Sequence, residues 1–275
     1  MNDFDAIAAQ RPTNIDEAIP CMQNALRYFH ERDDYRAIFL RAYYIITLNV
    51  HAAIHQRGEY TNPIFFDAGW VSSQAGWFAS LYFQSLTTFD RPPDSERAWK
   101  TAHGMAVEKT STVLQDLMLG LNAHINYDLA YGTYLNLKQH KDEVNHLSLP
   151  RRKFDHDQVN NILVNSIPQI AVALTRDYGG GILFLRNTLH GLDIILSSSG
   201  LKYYRERVWW SAVSYLATTD DEEVNLVHLK LNWESAQLAK RIADTSLWTL
   251  PARTVGRTIR KDHMGDIPLE TPATQ

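Results

Sequence analysis

Residues 111–138 read STVLQDLMLGLNAHINYDLAYGTYLNLK, the longest periodic run in the chain. Stepping by three and four residues collects Leu114, Leu117, Leu121, His124, Asp128, Tyr131 and Leu135. That is the period of one helix face, not the alternation of a strand, and it predicts a long central helix. Two ionisable side chains, His124 and Asp128, interrupt the apolar face one turn apart, so they point the same way.

The flanking sequence repeats the helical pattern. Upstream, Asn14 precedes Glu17 by three residues, a capping-box spacing, and Ile15, Ile19, Met22, Leu26 and Phe29 follow at helical intervals. The charged break at 31–34 introduces a second helix reaching about Gln56, with Gly58 ending it. Its sequence, AIFLRAYYIITLNVHAAIH, is apolar almost all round, which places it near the centre of the fold. A third helix carries Trp70, Trp77, Phe78 and Leu81, and the tandem prolines Pro92-Pro93 separate it from a short helix at Arg97-Ala98-Trp99. Downstream, the charged segment 139–154, with Pro150, reads as a loop. Asp155 and Gln158 can then cap a helix through Val159, Ile162 and Leu163 that bends at Pro168.

Gly179-Gly180-Gly181 reads as a connector, since neither a preceding strand nor a Lys-Ser/Thr pair makes it a phosphate loop. Helices follow at 182–196 and 201–217, and Thr219 with Glu222 caps a last one to about Asp244. The fold predicted is an all-α, single-domain helical bundle of about eight helices. It spans 1–275, with an ordered core over about 14–250 and a polar tail.

Composition narrows the class. The 275 residues are 45% hydrophobic and 21% charged, ordinary for a folded globular chain. A net charge of −4 and a pI near 6.2 provide no positive field for nucleic acid. The acidic N-terminus lacks a signal-peptide pattern, and polar residues interrupt each apolar stretch before the roughly 18 residues of a membrane span. The expectation is a cytoplasmic protein with no membrane span, acting on a small molecule. A single cysteine, Cys21, permits no intrachain disulfide and no thiolate cluster.

His124 and Asp128 are the foremost candidates for chemistry. A His and a carboxylate at this spacing can share a divalent metal, zinc or iron, or can hydrogen-bond each other. Asn122 and Asn126 flank the pair and are read with it as a catalytic polar site. The spacing alone is common: chance supplies about 0.6 such His/Asp pairs in a chain of this composition, and His30 with Asp34 matches it across a helix break. A second metal candidate is His51 with His55, extended by Glu59 if the helix runs past Gly58. His190 with Asp193 and Glu143 with His146 rank lower, and no GxSxG elbow occurs.

The decade Gly120-Leu121-Asn122-Ala123-His124-Ile125-Asn126-Tyr127-Asp128-Leu129 resembles the signature G-[ML]-N-A-H-I-N-x-D-L of an uncharacterised bacterial family, a domain of unknown function. Arg32-Asp33, the run Tyr43 to Thr47, Asn62-Pro63, Phe78 to Tyr82, Arg97-Ala98-Trp99 and the segment from Phe154 to Asn160 fall in that family's order. The resemblance carries no activity across; it implies that the helix with His124, Asn126 and Asp128 is the family's centre. A more distant likeness is to helical zinc hydrolases of the phospholipase C type, whose further His-rich ligand set does not follow Asp128 here. The expected function is an enzyme built on this polar site, metal-dependent and of hydrolase or oxygenase type. The alternatives are a metal-free acid/base enzyme and a non-catalytic helical ligand-binding or scaffold protein.

Overall fold

The computed structural model describes residues 3–89, 97–140, 148–179, 198–218 and 220–244, and among these no strand occurs. The chain runs through α1 (Asp3–Ala8), α2 (Ile15–Glu31), α3 (Arg36–Ile54), α4 (Ala68–Thr88), α5 (Arg97–Val107) and α6 (Val113–Ala123). α6 passes through one π turn, His124–Asp128, directly into α7 (Leu129–Gln139). α8 (Ser148–Tyr178), α9 (Ser198–Ala217) and α10 (Asp221–Ala243) complete it. The all-α prediction holds.

Side-chain caps set several helix starts. Asn14 is extended and accepts the Glu17 N–H at 3.0 Å, which satisfies one of the free N–H groups at the start of α2. The Glu17 carboxylate turns to the Thr13 N–H and hydroxyl, at 2.8 and 2.9 Å, instead of completing the box at Asn14. Thr112 and Gln115 do form the reciprocal box that opens α6.

Three boundaries differ from the sequence reading. α8 begins at Ser148, inside the segment 139–154 read as a loop, because Pro150 falls in the first turn, where its missing N–H costs nothing. α3 ends at Ile54, with Gln56 and Gly58 both at positive φ (53° and 63°), so Glu59 leaves the face of His51 and His55. Asp220 caps α10, accepting the Glu222 N–H at 2.8 Å, while Thr219 lies outside the described residues. Gly180, Gly181, the helix at 182–196 with His190 and Asp193, the Glu143/His146 pair and the tail after Pro251 lie outside the described residues.

α3 is the central element. Ala37 through Ile45 are all buried, and the helix packs on α2, α4, α5, α6 and α8. It is long and apolar enough to cross a membrane, contrary to the sequence estimate, but 67% of its most apolar window is buried inside the protein. A buried ion pair, Arg41 to Asp177 at 3.0 Å, ties it to the end of α8. Beside it His30 Nε2 lies 2.8 Å from the Tyr178 hydroxyl, which donates to the Ala37 carbonyl at 3.2 Å. His30 and Asp34 therefore form no pair.

Two apolar clusters make up the interior; one draws chiefly on α2, α3, α5 and α6 with the C-terminal halves of α4 and α8, the other on α7 and α9 with Trp70 and Val71 of α4 and Ile162 and Leu163 of α8. Ile46, Phe78 and Leu121 pack against both. Two glycines permit close approaches. A Cβ on Gly120 would fall 2.2 Å from the Phe39 ring, and one on Gly76 would fall 2.1 Å from the Thr13 backbone. Gly120 thus brings α6 down onto α3 one turn before His124.

Candidate functional site

The π turn builds the site. Its defining bond runs from the Leu129 N–H to the His124 carbonyl, five residues back, an arrangement that recurs at functional positions in helices. Within this turn His124 Nδ1 lies 2.9 Å from Asp128 Oδ2. A carboxylate oxygen only accepts, so Nδ1 carries the proton and Nε2 presents a lone pair. The same Oδ2 accepts the indole N–H of Trp99, from α5, at 3.0 Å.

Aromatic rings enclose the imidazole. Phe78 stacks on it with centroids 3.4 Å apart and planes 5° from parallel, and Tyr43 meets it edge-on at 4.3 Å. Phe39, Trp99 and Tyr82 stand at 5.6, 5.9 and 6.1 Å. Burial pushes His124 well below the ordinary imidazole value, so the ring is neutral at physiological pH. Its Nε2 is buried and has no hydrogen-bond partner. The Tyr43 hydroxyl is likewise buried and unpartnered, and burial, then Asp128 and Tyr82, push it well above the ordinary phenol value.

A cavity of about 80 Å³ opens against these groups, at the seam of the two apolar clusters. His124, Tyr43, Phe78 and Leu121 form one wall. His156 and Arg205 are its other ionisable lining residues. These two interlock. His156 Nε2 lies 3.3 Å from the Arg205 carbonyl, while Arg205 Nη2 donates to the His156 carbonyl at 3.0 Å and reaches its Nδ1 at 3.4 Å. Arg205 is 4% exposed, its Nε has no partner, and no carboxylate among the described residues pairs with it. Burial lowers it to about 10, so it stays cationic.

The pairing of His124 with Asp128 matches the spacing argument, but the two bond to each other and do not converge on an ion. Among the described residues no third His, Cys, Asp or Glu ligand atom gathers with them. Asn122 and Asn126 are not part of this site. Asn122 donates to the Ser235 carbonyl of α10 at 2.8 Å and accepts from Asn126 at 3.0 Å, which fixes the far side of the helix. Asn126 borders a separate groove of about 460 Å³ with Tyr204, Arg207 and Ser235. His51 and His55 do come together, around a carboxylate the sequence reading did not include, Asp16 of α2. Cys21 is partly buried against the core, and burial raises its thiol, as expected of a packing residue.

Sequence reasoning missed Tyr43, Phe78, Trp99, His156 and Arg205 as site residues. Tyr43, Phe78 and Trp99 lie in the stretches that carried the family resemblance. His156 falls in the resembling segment from Phe154 to Asn160. Arg205 had no such signal.

Fold and site together define an all-helical protein with a neutral histidine bonded to an aspartate carboxylate in a π turn, walled by aromatic rings at the edge of a cavity. The chain belongs to a family of unknown function, DUF5995, whose model matches residues 15–245. No curated protein and no solved structure matches it.

Proposed function

We propose that the protein binds a small, largely apolar molecule in the cavity beside His124 and performs metal-free acid–base chemistry on it. The carrying observation is the bare, buried Nε2 of His124, fixed as an acceptor by Asp128 and facing no protein partner. An unsatisfied buried acceptor costs about 1–3 kcal/mol, which a packing role alone does not require. A ligand carrying an O–H, N–H or acidic C–H would satisfy it, and His124 would accept that proton while Asp128 stabilises the resulting imidazolium. The neutral Tyr43 hydroxyl is a donor for the oxygen on which negative charge develops. Arg205 supplies a fixed cation for an acidic group of the ligand.

The dimensions fit a small occupant. An engineered apolar cavity of about 150 Å³ holds benzene, so about 80 Å³ takes a fragment of a few heavy atoms. Short-chain carboxylates such as propionate and butyrate are therefore the first probes. Thermal shift and ligand-observed NMR should show saturable binding that His124→Phe and Arg205→Met each abolish while circular dichroism stays helical. Binding that survives both substitutions would sink the proposal.

A further inference from the structure

We infer that Asp16, His51 and His55 form a divalent transition-metal site of the zinc class, joining the start of α2 to the end of α3. Asp16 lies in the first turn of α2; His51 is in the last turn of α3 and His55 is its C-cap. The four-residue spacing puts both imidazoles on one helix face, with ring centroids 4.3 Å apart. Their Nε2 atoms approach the same oxygen, Asp16 Oδ1, at 3.0 and 3.1 Å, and all three ligand atoms lie within 4.8 Å of one another.

Those separations are close to what an ion needs. Four-coordinate zinc with bonds of about 2.0–2.1 Å spaces its ligand atoms roughly 3.3 Å apart, so the two Nε2···Oδ1 distances need to open by only a few tenths of an ångström, and the remaining separation, at most 4.8 Å, would adjust by side-chain rotation. With an ion bound, each imidazole would stay neutral by carrying its proton on Nδ1, leaving a lone pair on the Nε2 that now meets Oδ1 free to ligate. Two neutral nitrogens and one anionic oxygen form a borderline donor set that suits zinc and its first-row neighbours over calcium or magnesium. His51 is 20% exposed and Asp16 59%, leaving a solvent path for entry and a fourth position for water.

The site sits against the cavity. Ile15 and Val50, the chain neighbours of Asp16 and His51, both line it, so a bound ion would hold two wall residues in register. This metal site is independent of the chemistry proposed for His124, and the readouts below involve neither turnover nor cavity ligands.

The test uses the full chain without a histidine tag. Cobalt(II) chloride should produce the intense visible absorption of a tetrahedral ion, saturating at one equivalent, and zinc(II) chloride should displace it and raise the melting temperature. Asp16→Asn and His55→Ala should each weaken zinc by more than the roughly 10–100-fold that outer-shell changes cost. His140→Gln, at a histidine outside the cluster, should change nothing. The inference is overturned if the wild-type chain gives no tetrahedral cobalt spectrum, or if Asp16→Asn and His55→Ala retain parental affinity with their helicity intact.

Discussion

Removing the Asp128 carboxylate should destabilise the protein through the two donors it leaves behind. Asp128→Ala strands His124 Nδ1–H and Trp99 Nε1–H, which now meet Oδ2 at 2.9 and 3.0 Å in a site walled by aromatic rings. Each orphaned buried donor costs about 1–3 kcal/mol, so the pair costs roughly 2–6 kcal/mol. Removal of a buried carboxylate recovers part of its desolvation, leaving a net loss of about 3 kcal/mol. For a chain of this size that lowers the melting temperature by roughly 6–12 °C. Asp128→Asn keeps one carbonyl acceptor and should lose about half as much.

Urea unfolding followed by far-UV circular dichroism measures these losses, with an unchanged slope confirming that the native state is intact. Trp99→Phe removes one donor in advance, so the double variant with Asp128→Ala should lose less than the sum of the single changes. An Asp128→Ala protein within about 1 kcal/mol of the parent, or strict additivity with Trp99→Phe, would refute the shared-acceptor geometry.

Other positions make separate predictions. Gly76→Ala should cost about 1–3 kcal/mol in a thermal melt, because the added methyl meets the Thr13 backbone, which cannot rotate away. Gly120→Ala meets the Phe39 ring instead and should perturb near-UV circular dichroism from the aromatic wall. Stability should fall as pH drops from about 6.5 toward 4. His30 is held neutral down to about 4, first by burial and then by Arg41, so the unfolded chain takes its proton first. That single group accounts for about 3 kcal/mol across the window. His103, His124 and His156, each pushed well down by burial, add to the loss, while Asp155, pushed up by burial, opposes it. Chemical denaturation at pH 7 and pH 4.5 checks the sign.

Much of the fold was legible because helix caps and apolar periodicity are local. Asn14, the run from Ile15 to Phe29, and the spacing of His124 to Asp128 needed only neighbours in sequence. The misreadings have physical causes. Pro150 is compatible with a helix in its first turn, and a composition argument does not show which turn it occupies. Asn122 and Asn126 lie on a helix that is apolar nearly all round, so periodicity could not say that they face α10 instead of the cavity. Asp16 meets His51 across a contact between two helices, and Trp99 reaches Asp128 from another. Such partners arise from packing, and one sequence carries no local signal for them.

The chemistry proposed at the cavity turns on the protonation of His124: a proton on Nδ1, held by Asp128, and a bare, buried Nε2. Two-dimensional 15N–1H correlation spectroscopy of the imidazoles, assigned through His124→Phe, reads this directly. Nδ1 should be protonated and Nε2 pyridine-like at pH 7, a state persisting well below 6.5, with Nε2 alone shifting when a cavity ligand binds. An imidazolium at pH 7, or a proton on Nε2, would contradict it.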